Sequence, residues 1–141
     1  MVVLIVNGSA QSYVTGVFSS RSEAAVYLEE VPTPLREQLV VKAHPELELP
    51  CFLIEDRAGI RAAGETELER TLRAWSAEPI RDDEPVGNVY WIAAAWRPPK
   101  AGTDYMGVLK HAHVERDGLD RFARGGLEAF LSAWLTPTRS Q

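Results

Sequence analysis

The sequence predicts an α+β fold: a mainly antiparallel sheet, built from strand, strand, helix units, with helices packed on it. Three observations predict it. Short β-rich runs arrive in pairs separated by turn residues, and a stretch of helical periodicity follows each pair. The length of 141 residues, with 45% apolar and 25% charged residues, fits a single domain spanning residues 1 to 141.

The elements follow in chain order. Val2 to Asn7 and Ser12 to Phe18 are β-rich runs at hairpin spacing, separated by Gly8-Ser9-Ala10-Gln11. Ser20 and Glu23 then have the spacing of a capping box, with Ala24, Tyr27, Leu28 and Val31 on one helical face and Pro32 closing the segment. Leu39 to Ala43 is a Val-rich strand. Cys51 to Ile54 and Ile60 to Ala63 flank the turn-like Glu55-Asp56-Arg57-Ala58-Gly59, which predicts a second hairpin. From Glu65 to Trp75 the period is helical again, with Leu68, Leu72 and Trp75 on one stripe and Glu69 placed to pair with Arg73.

Ser76 to Gly87 has no apolar periodicity and reads as a long exposed loop, the kind of segment that often carries function. Asn88 to Trp96 is apolar on both alternating faces, as a central strand covered on both sides would be, and Tyr105 to Glu115 reads as its antiparallel neighbour. Gly125-Gly126 interrupts an apolar stripe near the C-terminus, because each glycine costs about 1 kcal/mol inside a helix. The stripe therefore splits into a short Leu119 to Arg124 piece, which can be a strand, and a helix from Gly126 to Leu135.

Charge and composition exclude several function classes. The net charge is −5, and its distribution is uneven: between Glu46 and Glu84 eleven acidic residues stand against five arginines, a local net charge of −6. Nucleic-acid binders need the reverse, a basic face that neutralises phosphates, so no nucleic-acid partner is expected. No apolar run reaches the length of a membrane helix, and Met1 to Val6 lacks the basic region of a signal peptide, so no membrane association is expected. The lone Cys51 cannot form an internal disulfide, which fits a reducing, cytoplasmic setting.

Candidate chemistry is sparse. His111 and His113 alternate onto one strand face, where two imidazoles can share a metal, and Glu115 on the same face offers a carboxylate. His44, before Pro45, is the remaining histidine. Cys51 precedes Phe52-Leu53-Ile54, the setting of a buried small hydrophobe rather than an activated thiolate. No glycine pattern matches a phosphate or dinucleotide loop, so no cofactor is expected and no catalytic residue stands out. Arg97, beside Trp96 and near Lys100, is the one place where a base flanks a tryptophan or tyrosine.

Val17-Phe18-Ser19-Ser20, leading through Glu23-Ala24 to Tyr27-Leu28, resembles a pattern in small bacterial proteins of toxin-immunity and phage-associated type. The resemblance covers only the N-terminal third. It implies a small, acidic, cytoplasmic, non-enzymatic protein that neutralises a cognate, basic toxin or effector by covering it. The residues expected to steer that partner are Glu55, Asp56, Asp82, Asp83 and Glu84. The alternative is a small metal- or ligand-binding enzyme using His111 and His113. Either would act as a monomer or homodimer.

Overall fold

A computed structural model of the chain describes residues 1–8, 13–81, 83–104 and 106–135. The fold is α+β, as the sequence predicts, with its strands divided between two antiparallel sheets rather than gathered in one. The chain forms two compact units, Met1–Cys51 with Ile92–Leu109, and Phe52–Trp91 with Lys110–Gln141.

In the first unit, β1 (Val2–Asn7) lies between β2 (Tyr13–Phe18) and β3 (Leu39–His44), antiparallel to both. β1 is buried along its whole length, which fits the apolar run from Val2 to Val6. Val3 and Ile5 alternate onto one face and pack with Phe18 and with Ala24, Tyr27 and Val31 of the helix α1 (Arg21–Glu30). The expected N-cap forms: Ser20 Oγ accepts from the Glu23 N–H at 3.2 Å. A short helix, α2 (Thr33–Arg36), follows Pro32, with Pro34 in its first turn, where a missing N–H costs nothing.

A buried hydrogen-bond cluster ties residues 101–103 into this unit. The Tyr27 hydroxyl accepts from the Gly102 N–H at 2.8 Å, donates to the Thr15 carbonyl at 3.1 Å and lies 2.5 Å from Thr15 Oγ1. Thr15 Oγ1 in turn donates to the Thr103 carbonyl at 2.8 Å. Each partner is satisfied by another, as buried polar groups require.

The second unit holds, apart from the end residues Cys51 and Ile92, the strands β4 (Cys51–Asp56), β5 (Gly59–Ala63), β6 (Gly87–Ile92) and β7 (His111–Val114), in the order β5-β4-β6-β7. β4 and β5 make the expected hairpin, with Ile54 opposite Arg61. One sheet face meets α3 (Glu65–Ser76) and α4 (Arg116–Ser132). Phe52, Ile54, Val89 and Val114 from the strands pack there with Leu68, Leu72 and Trp75 of α3 and Leu119, Phe122, Phe130 and Leu131 of α4. Each such side chain contributes about 1.5–3 kcal/mol by leaving water.

Three sequence expectations change. β6 ends at Ile92 rather than Trp96: Ala93, Ala94 and Ala95 are exposed, and Trp96 makes an isolated bridge to Val17. The small alanines gave the segment apolar character without the bulk to hold it in a sheet. Tyr105 lies outside the described residues; among the described residues of 106–115 only His111–Val114 is strand, and a 3-10 turn occupies Met106–Val108. Leu119 to Arg124 is helical, since Leu119 and Phe122 bury one helical turn apart. The glycine pair does interrupt α4: Gly126 has φ 75° and ψ −167°, a conformation open to glycine at little cost, and the helix kinks there.

Candidate functional site

Strand alternation in the second unit sends Phe52 and Ile54 to the helices and Glu55 to the opposite sheet face. The same alternation turns Asn88 and Tyr90 of β6, and His111 and His113 of β7, onto that face. The register sets Asn88 opposite His113 and Tyr90 opposite His111. Glu55 Oε1 accepts from Asn88 Nδ2 at 2.8 Å and from the Tyr90 hydroxyl at 3.0 Å, while Asn88 Oδ1 meets His113 Nδ1. The His111 ring lies 5.3 Å from the Tyr90 ring and 5.1 Å from the His113 ring, edge to face with the latter.

Asp56 works within the fold. Its Oδ1 accepts from the Ala58 N–H at 2.8 Å, closing the hairpin turn, and its Oδ2 lies 3.4 Å from Arg61 Nη1. Arg61 also donates to Thr71 Oγ1 of α3 at 3.0 Å. Glu55 and Asp56 are thus both engaged inside the unit, whereas Asp83 and Glu84 are exposed in the loop after α3. Asp83 Oδ1 lies 4.0 Å from Arg81 Nε, an exposed pair of little energetic weight. Asp82 lies outside the described residues.

Among the described residues of 77–86 there is no helix or strand, as expected. The segment is nonetheless tied down. Arg116 Nη2 donates to the Ile80 carbonyl at 3.2 Å, and the Val86 N–H donates to the Val114 carbonyl at 2.8 Å. Two ties between residues three apart link the Glu78 N–H to Trp75 O and the Glu84 N–H to Arg81 O, each at 3.2 Å.

This loop and the Asp56-Arg57-Ala58 turn enclose an open cleft of about 350 Å³. Trp75, Ile80 and Val86, with Pro79 and Pro85, give it an apolar lining, and Asp56, Glu78, Glu84 and Arg57 supply the charges. A second, more open depression shares Asp56, Arg57, Pro85 and Val86 with the first and adds Glu55, Gly87, Asn88 and His113. Acids expected to meet a partner and a histidine expected to meet a metal therefore share one region of one unit. Gly87 permits the closeness of these parts: a Cβ there would stand 2.5 Å from the Glu55 carbonyl oxygen and 2.8 Å from the Trp75 ring.

Several site residues escaped the sequence. Glu78 and Arg57 were visible only as charges in an acidic segment, and Trp75 only as a core stripe position. The Glu55–Asn88–His113 link depends on the β4-β6-β7 strand order, for which no local signal exists.

The remaining candidates separate. Glu115 occupies the N-cap position of α4, and its carbonyl accepts from the Leu119 N–H at 3.1 Å. Among the described residues no three His, Cys, Asp or Glu side chains gather into one cluster. His44 lies on β3 in the first unit, with Nδ1 3.8 Å from Glu46 Oε1. Cys51 is 2% exposed, and burial pushes its thiol up to about 11, which disfavours the nucleophilic thiolate. Arg97 holds Glu30 through two contacts of 2.5 and 2.8 Å and stands 5.0 Å over the Tyr27 ring. That pairing holds the Glu30 carboxyl below its usual range. No helix among the described residues is long and apolar enough to cross a membrane. Comparison with protein-family models, with curated proteins and with solved structures finds no significant match.

Proposed function

We propose that the protein is a binding module of the immunity type, which recognises a basic protein partner through the cleft between the Asp56-Arg57-Ala58 turn and the loop after α3. The observation that carries this reading is the combination in one open cleft of a Trp75, Ile80 and Val86 lining with Glu78 and Glu84 exposed beside it. Interfaces draw most of their affinity from a few aromatic or aliphatic anchors in partly enclosed pockets, and their charges chiefly set the rate and orientation of encounter. The loop is tied to α3, β7 and α4 before any partner arrives, so little ordering entropy is lost on binding.

In this reading Asp83 and Glu84, with Asp82, steer a lysine- or arginine-rich surface, and the apolar lining receives one of its side chains. Glu55 and Asp56 shape the cleft more than they contact the partner, since both are already engaged. The test takes the products of the genes flanking its own and measures their association at about 50 and about 300 mM salt, a range over which exposed charges become screened. The expected result is a partner whose on-rate falls at least about tenfold with salt and falls again in Glu84→Lys. Ile80→Asp should raise the off-rate instead. A partner bound at a rate indifferent to salt and to both substitutions would overturn the assignment of this cleft.

A further inference from the structure

We infer that His111 and His113 form a two-imidazole binding site for a divalent transition metal of the Zn²⁺ class, with Asn88 and Glu55 as positioning residues. This inference does not rest on the partner-binding reading.

The hydrogen-bond polarity of the chain Glu55–Asn88–His113 fixes the chemistry of the terminal ring. A carboxylate only accepts, so the Asn88 amide must turn its Nδ2 to Glu55 and its Oδ1 to His113. Because Oδ1 only accepts, His113 Nδ1 must carry the proton. In the neutral ring that leaves Nε2 with the lone pair. A metal-ligating histidine is ordinarily held in this way, with one nitrogen donating to an oxygen acceptor while the other binds the ion. Here the acceptor is an amide whose own orientation is set by a carboxylate, itself held by the Tyr90 hydroxyl at 3.0 Å.

The spacing of the pair fits the same role. With a metal–nitrogen distance of about 2.05 Å and the ring centre about 1.15 Å behind the nitrogen, two imidazoles on one tetrahedral ion have centres about 5.2 Å apart. A square-planar cis pair would have them about 4.5 Å apart. The His111 and His113 centroids are 5.1 Å apart, at the tetrahedral value. Both residues are exposed, and His113 lines the open depression beside Glu55 and Asn88, so an ion has access. Two protein ligands leave the other coordination positions to water or to a group brought by a ligand. Glu115 is not required; it stands at the N-cap position of α4 without a side-chain capping hydrogen bond.

The experiment titrates the untagged full chain with Zn²⁺ alone, by calorimetry, and follows the histidine ring nitrogens by ¹⁵N NMR. The expected result is one Zn²⁺ per chain, bound at least about tenfold more weakly in His111→Ala and in His113→Ala. Asn88→Leu should weaken binding by about ten- to a hundredfold. The same substitution should move the neutral His113 ring from the Nδ1–H to the Nε2–H tautomer, a change that a purely structural role for Asn88 would not produce. Binding by the double variant His111→Ala/His113→Ala as tight as that of the natural chain would overturn the inference. So would Zn²⁺ that leaves the wild-type His113 ring signals unmoved, a result that needs no variant to fold.

Discussion

Replacing Gly87 with alanine tests how tightly the cleft is assembled. The new Cβ would lie 2.5 Å from the Glu55 carbonyl oxygen and 2.8 and 2.9 Å from Cη2 and Cζ2 of Trp75. A carbon and an oxygen rest comfortably at about 3.3 Å, so β6 and β4 must part by most of an ångström or the carbonyl must tilt. Rotating a side chain cannot relieve a clash with backbone, and the Trp75 ring is itself packed, at 6% exposure. Overpacking in such places costs about 1–3 kcal/mol, and the double clash puts Gly87→Ala at the upper end, about 3 kcal/mol. Equilibrium urea denaturation should show a lower midpoint at unchanged slope, with a melting temperature lower by roughly 6 to 12 °C. Gly107→Ala is the control: a Cβ there meets nothing within 4 Å, and the change should stay within about 0.5 kcal/mol. Should Gly87→Ala match that control, the close approach of Trp75 and β4 would be wrong.

Tyr27→Phe removes the hydroxyl that accepts from the Gly102 N–H and leaves that buried donor unpaired, which should cost about 2–4 kcal/mol in the same assay. Tyr13→Phe loses two longer, part-buried contacts, 3.2 Å to the Gly102 carbonyl and 3.1 Å from Asn7 Nδ2, and should cost less, about 1–2 kcal/mol. Cys51 should resist thiol reagents at pH 8 in the native protein and react fully in denaturant. Its thiol is raised from 9.0 to about 11, so the unfolded chain gives up the proton first. The stability it contributes is complete below pH 9 and lost as the pH rises through 11. The loss, measured against Cys51→Ala, should reach about 2–3 kcal/mol.

Much of the fold was legible because its signals are local. Ser20 caps α1, Leu68 and Leu72 bury on one side of α3, and the turn between Ile54 and Ile60 closes a hairpin. Each follows from residues a few positions apart. The misread places depend on distant partners. Ala93 to Ala95 have strand-like hydropathy but too little bulk to secure a neighbour, and Leu119 to Arg124 shows its helical face only when Phe130 and the α3 stripe are there to meet it. The site divides in the same way. The acidic loop and the His111, His113 pair could be read from composition and alternation. That Glu55 belongs with His113 rather than with the loop acids follows from strand order, which links residues 33 and 25 positions apart. That Glu55 and Asp56 have hydrogen-bond partners within the fold could not be read from the sequence, because those partners lie on another strand or across a turn.

Four hydrogen bonds among the described residues hold the loop after α3 through its own main chain: through the carbonyl of Ile80 and the N–H groups of Glu78, Glu84 and Val86. Main-chain groups are the same whatever side chain stands above them. Glu78, Asp83 and Glu84, whose side chains are exposed, can therefore be exchanged for other residues while the loop keeps its course, whereas the Ile80 side chain also packs against the core. A scaffold of this kind can take up a new partner by rewriting a handful of positions, leaving the sheet and helices beneath as they were.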